Sequence, residues 1–195
     1  MQHKGFSWLR HWQRRYRSHP LWDVMLFIAI IVVFHVAWRL GRPWLEVQPL
    51  YLAMSDALTM HVYRVSAWLL ERMPGIDMER IDIGCRMVFP GHGTLVVDHT
   101  CSGLKQFYQA FFLFLLYPGP WKHKLWYIPL AIMMMHLTNI FRVVALGITM
   151  NVAMQHWHFM HDWVLRPMFY AVMFALWVVW SEKIKVKSEK IKVKS

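Results

Sequence analysis

The chain has 195 residues, of which 57% are hydrophobic and 16% aromatic, with mean hydropathy +0.28 and formal net charge +11. That is too apolar for an ordinary soluble domain, and the apolar residues come in long blocks, so the composition describes one integral membrane domain. The charge does not describe a nucleic-acid-binding protein. The basic residues flank apolar blocks and do not form a patch with stacking aromatics.

Residues 1–20 hold Lys4, Arg10, Arg14, Arg15 and Arg17 among Trp8, Trp12 and Tyr16, the pattern of a basic interfacial arm on the cytoplasmic face. Residues 21–40 read as the first membrane span. About twenty helical residues cover roughly 30 Å, the thickness of the hydrocarbon layer. Residues 43–73 are helical in pattern but carry Glu46, Asp56, His61, Arg64, Glu71 and Arg72. They are expected to form interfacial or extra helices packed on the bundle, since charges spread along a span are costly. Pro74-Gly75 ends this region. Residues 80–100 then read as a small external β-hairpin turned at Pro90-Gly91-His92-Gly93.

The hairpin leads into Asp98-His99-Thr100-Cys101-Ser102-Gly103 at the start of a second span, 102–118. A third span covers 125–150 and holds His136, Asn139 and Arg142. A polar loop, 151–162, holds His156, His158 and His161, and a fourth span covers 163–180. The tail, 181–195, repeats Ser-Glu-Lys-Ile-Lys-Val-Lys and reads as a solvated cytoplasmic segment. The expected fold is therefore all-α, with about four transmembrane helices, interfacial helices and one small hairpin.

Placing the basic arm, the Lys122/Lys124 turn and the tail on the cytoplasmic side puts 43–100 outside. Between Arg39 and Gly103 six basic residues are balanced by seven acidic ones, which suits an external segment. On this topology Cys101, Arg142 and His161 come to the same outer side of the membrane.

Cys101 lies at a helix start, where a nearby cation or the helix N-terminus favours the reactive thiolate. Ser102-Gly103 suits a tight turn with free backbone N–H groups for an oxyanion. His161 could exchange a proton with the thiol and the leaving group, oriented by Asp162 or Asp98. Arg142, an intramembrane cation, is a functional candidate by position. It could bind a carbonyl or oxyanion, with Asn139 three residues earlier holding its guanidinium. Each residue also has a plainer reading: Cys101 as a buried, inert thiol, and Arg142 as one half of an ion pair with a group such as Asp56. Cys85, if the hairpin register carried it to Cys101, could form a disulfide with it; the alternative is a lone, unreactive thiol.

Thr-Cys-Ser-Gly-Leu at 100–104, Asn-Ile-Phe-Arg-Val at 139–143 and His-Asp-Trp-Val at 161–164 together resemble the exosortase/archaeosortase family, as a short bacterial-type member. The resemblance covers roughly 75–180. It implies a membrane cysteine peptidase or transpeptidase with Cys101 as nucleophile and Arg142 and His161 completing the site, and Asn139, Asp162, Ser102 and Gly103 supporting it. It also implies cargo proteins ending in a short motif, a transmembrane helix and a basic tail, cleaved at the outer face of the bacterial cytoplasmic membrane. Such an enzyme needs no cofactor and no metal. Two rival readings remain open. With 12 His and 15 Met, the chain could be a metal- or haem-binding membrane protein using His156, His158 and His161. It could also be a non-catalytic membrane scaffold.

Overall fold

The computed structural model describes residues 20–185; the expected basic arm before Pro20 and most of the repeated tail lie outside the described residues. The main elements are α1 (Pro20–Leu45), α2 (Pro49–Leu70), β1 (Glu79–Ile81), β2 (Arg86–Phe89), β3 (Gly93–Val96), α3 (Leu104–Leu116), α4 (Trp121–Val152) and α5 (Arg166–Val179). Among the described residues three helical runs are long and apolar enough to cross a membrane: Leu21–Leu45, Trp121–Val152 and Met154–Glu182. The all-α membrane fold is thus present, and the chain is a multipass membrane protein. Apolar side chains such as Met25, Val33 and Leu40 on α1 and Leu137 and Phe141 on α4 face outward, as contact with hydrocarbon requires.

The other apolar block, 102–118, forms the 13-residue helix α3. At 1.5 Å per residue that is about 20 Å, shorter than a full span. The charged region 43–73 condenses into a single helix, α2. Its buried residues, Ser55, Thr59, Val62, Tyr63, Ser66, Ala67 and Leu70, recur every three or four positions and make one packing face. Its charges are spared burial because they fall on the opposite faces. Gly147 of α4 allows the close approach here: a Cβ on it would lie 2.6 Å from Leu70 Cδ1.

The hairpin is present as β2 and β3, in antiparallel register with Met87 opposite Leu95 and Phe89 opposite Gly93. A third strand, β1, pairs with β2 and extends it to a small sheet in the order β1-β2-β3. Met87, Phe89 and Leu95 point inward from the alternating strands, with Val97 just beyond them. The stretch 151–162, expected as a polar loop, is helical instead. A 3-10 turn (Met154–His156), one α-turn (Trp157–Phe159) and a π-helical turn (Met160–Leu165) run without a break into α5. The interleaved Trp157, Phe159 and Met160 continue the apolar pattern of α5 backwards, which overrides the local polarity of the three histidines.

Two cores result, and α4 is the wall they share. The first joins α2, the sheet and the C-terminal part of α4, through Tyr63, Leu70, Met87, Phe89, Val143 and Leu146. The second joins α3, the N-terminal part of α4 and α5, through Leu113, Phe114, Tyr127, Met135, Phe169 and Trp177. Polar side chains of α4 fall at the seam between them: His136, Thr138, Asn139 and Arg142. The seam lies near the middle of the 32 residues of α4.

Candidate active site

The Cys101 turn is built locally. Asp98 caps a 3-10 turn, His99–Cys101, its Oδ1 accepting from the Thr100 N–H at 2.9 Å and from Thr100 Oγ1 at 2.6 Å. Burial by itself raises the Asp98 carboxyl, but the hydrogen bonds of Thr100 and Cys101 hold it below the usual carboxylate range. Asp56 of α2 reaches His99 Nδ1 at 3.1 Å and Thr59 Oγ1 donates to the Asp98 carbonyl at 3.4 Å, so α2 braces the turn from outside. Ser102 is buried, and its Oγ accepts from the Leu104 N–H at 3.3 Å, a local cap for α3. Gly103 closes the turn in the left-handed region, at φ 80°.

Helix α4 holds the turn from the other side. Asn139, fully buried, donates from Nδ2 to the Cys101 carbonyl at 2.6 Å. This differs from the expected role of Asn139 as a brace for the Arg142 guanidinium. Asn139 sits at the seam opposite the turn, so its amide meets the nearest unpaired carbonyl, and Arg142 turns to the other side. The same packing explains Gly103: a Cβ there would lie 3.0 Å from Asn139 Nδ2. Gly103→Ala is accordingly expected to cost roughly 2 kcal/mol, from the left-handed backbone and the displaced amide. Thermal unfolding of the detergent-solubilised chain measures it. Adding Asn139→Ala should cost less than the sum of the two single changes, because both strike one contact; strict additivity would count against this account.

Arg142, one turn beyond Asn139, is 6% exposed. Its Nη2 donates to His161 Nε2 at 3.0 Å. His161 Nδ1 in turn donates to Asp162 Oδ1 at 2.7 Å, which leaves Nε2 as the lone-pair nitrogen that accepts from Arg142. Asp162 is shared with Arg166 Nη1 at 3.1 Å. Asp162 thus touches the His161 ring although it is the next residue in sequence; both lie in the π-helical turn. Arg142 does not pair with Asp56, whose carboxylate is on His99.

Three groups at this site were not anticipated. Trp157 stacks on the His161 ring at 4.9 Å with planes 7° apart. Arg166 anchors Asp162, and the Phe169 ring lies 5.9 Å from the Arg142 guanidinium. Trp157 precedes His161 by four residues and Arg166 follows Asp162 by four, the helical neighbour spacing. That signal was present but depended on 154–165 being helical.

The electrostatics of the thiol have two opposed causes. Burial pushes the Cys101 thiol up, and the Arg142 charge pulls it back, the net remaining above its ordinary value. Arg142 Nε and Asn139 Oδ1 are buried without a partner. A buried guanidinium N–H with nothing to donate to is a ready site for a carbonyl oxygen or oxyanion. Cys85 and Cys101 are both free thiols. Cys85 lies in the turn between β1 and β2, its carbonyl accepting from the Val97 N–H. Among the described residues no three His, Cys, Asp or Glu side chains are grouped to hold a metal ion. Both nitrogens of His161 are already engaged, so His156, His158 and His161 do not form a ligand set.

A family model, "Transmembrane exosortase (Exosortase_EpsH)", matches residues 5–179. The chain belongs to the transmembrane exosortase family. The match takes in every element from α1 to α5, so this exosortase-family membership extends well beyond the three motifs around the cysteine. No curated protein and no solved structure matches the chain.

Proposed function

We propose that the chain is a membrane cysteine peptidase or transpeptidase that cleaves the C-terminal sorting signals of exported, membrane-anchored proteins through a thioester on Cys101. One observation carries the reading: three segments far apart in sequence meet at the seam of α4, with Asn139 on the Cys101 carbonyl and Arg142 on His161. Family membership supports the same reading. Cargo would carry a short motif, a transmembrane helix and a basic tail, and would be cut at the outer face of the bacterial cytoplasmic membrane.

The chemistry follows from the contacts. In the unliganded site the Arg142 guanidinium occupies the His161 lone pair and the thiol is protonated. A scissile carbonyl entering beside Cys101 draws the Arg142 donors, including the unpartnered Nε, onto its oxygen. That frees His161 Nε2 to accept the thiol proton, while Asp162 holds Nδ1 and stabilises the imidazolium. The sulfur bonds to the carbonyl carbon, and the C–N bond breaks as His161 returns the proton to the leaving amine. Water or an amine then attacks the thioester and restores the thiol.

Interception with hydroxylamine tests the thioester. Membranes holding the enzyme and its cargo, treated with hydroxylamine, should yield cargo ending in a hydroxamate at the cleavage point, read by mass spectrometry. Cleaved cargo carrying only a carboxylate at saturating hydroxylamine would overturn the acyl-enzyme reading.

The geometry favours this reading over a metal or haem protein, because the His161 nitrogens are committed to Arg142 and Asp162. A bare scaffold gives no reason for a buried arginine with an unpartnered N–H beside a cysteine.

A further inference from the structure

A cavity of about 1120 Å³ lies against the Cys101 turn, walled by α1, α2, the start of α3 and the start of α5. Four cations line it, Arg39, Arg42, Lys105 and Arg166, against two carboxylates, Glu46 and Asp98. Both carboxylates are already occupied. Glu46 holds Arg42 Nε at 2.6 Å, and Asp98 caps the turn through Thr100. Arg166 is balanced by Asp162. Arg39 on α1 and Lys105 on α3 have no acidic partner among the described residues. Two uncompensated cations from different helices of a membrane protein call for an anion with several acceptor oxygens.

A second feature continues the first. An apolar groove of about 540 Å³ runs between α1 and α3, lined by residues such as Val33, Phe34, Ala37, Phe112 and Leu116. Trp38 borders both the groove and the cationic cavity. Together they form a site with one charged end and one hydrocarbon end. A free phosphate would leave the groove without a role, and an acyl chain alone would leave the cations unanswered.

We propose that this cavity and groove bind one anionic diacyl phospholipid, its phosphate between Arg39 and Lys105 and an acyl chain along α1 and α3. A lipid so seated places its polar head at the turn that carries Cys101. The site does not depend on the chemistry of that cysteine: a Cys101→Ala chain should bind the lipid as the wild type does, even if the thioester mechanism fails.

The test is lipid binding to the purified full chain in detergent, counted by native mass spectrometry, with phosphatidylglycerol as probe. Diacylglycerol of the same chains, which lacks the phosphate, and inorganic phosphate as competitor separate the two halves of the ligand. Phosphatidylglycerol should bind at one saturable site. Arg39→Gln with Lys105→Gln should weaken it roughly thirty-fold, as expected for two cations near a lipid phosphate, whereas Lys122→Gln, a basic change in the α3–α4 region away from the cavity, should not. Ala37→Trp, which fills the groove and leaves the cations intact, should weaken phosphatidylglycerol as well. Equal binding of phosphatidylglycerol by the double variant, or of diacylglycerol by the wild type, would overturn the phosphate site. Full displacement of the lipid by millimolar inorganic phosphate would overturn the amphiphile and leave a simple anion site.

Discussion

Cells carrying Cys101→Ala are expected to lose C-terminal processing of the cargo, with the rate falling by at least about ten-thousand-fold. The side chain contributes little to the fold. Its turn is held chiefly by the Asn139 amide on the Cys101 carbonyl and the Asp98 cap on Thr100, to which the thiol adds only a weak contact with Asp98 and Thr100. The amount of protein in the membrane should therefore be unchanged, which immunoblotting of washed membranes checks alongside. Normal processing at normal protein level would remove the nucleophile and with it the peptidase reading. Cys85→Ala should leave processing intact, since that thiol sits buried in the turn between β1 and β2 as part of the first core and has no contact with Arg142 or His161 among those described.

Replacing Arg142 has the second-largest expected effect, and it divides into two measurable parts. Arg142→Ala removes the donors aimed at a developing oxyanion and should slow processing by about 100- to 1,000-fold. Arg142→Lys keeps the charge but loses the planar fork that serves His161 and a substrate oxygen together, and should recover only part of that loss. The thiol itself reports the other part. Burial already pushes Cys101 above its ordinary value and Arg142 opposes that push. Removing the guanidinium moves the pKa further up, so less thiolate is present at neutral pH. Alkylation of Cys101 in Arg142→Ala should be slower near neutrality, with its half-maximal pH displaced upward. Arg142→Lys should lie between Ala and wild type. An alkylation profile in Arg142→Ala that coincided with the wild type would separate Arg142 from the thiol.

How much of this could be read from the chain alone depends on the range of the interactions involved. Apolar block length gave α1 and α4, and Pro90-Gly91-His92-Gly93 gave the β2–β3 turn, because both signals are written within one element. The three-residue strand β1 was missed for the same reason: Glu79, Arg80 and Ile81 have no strand pattern of their own and are held by pairing to β2. The helical character of 154–162 was missed because local polarity at His156, His158 and His161 was weighed above an apolar pattern that becomes visible only with α5 attached.

For the site, residue chemistry at a membrane boundary marked Cys101 and Arg142 as candidates, since a thiol at a helix start is reactive and a buried cation costly, whereas His161 was preferred among several histidines by position and by the family resemblance. The Ser102-Gly103 pair pointed to a tight turn, and Gly103 closes that turn at φ 80°. Which group touches which was decided only by tertiary packing. Asn139 was expected to serve Arg142 and instead holds the Cys101 carbonyl, because the seam between the two cores puts the turn opposite it. Trp157 and Arg166 became part of the site only when the helical run put Trp157 on the His161 ring and Arg166 on Asp162. The cationic cavity likewise exists in no single segment, since Arg39, Lys105 and Arg166 meet only where α1, α3 and α5 do. Periodicity and burial cost act along the chain, and so the sequence determined the elements and the reactive residue types. Hydrogen-bond pairing and charge balance act between elements, and so they required the fold.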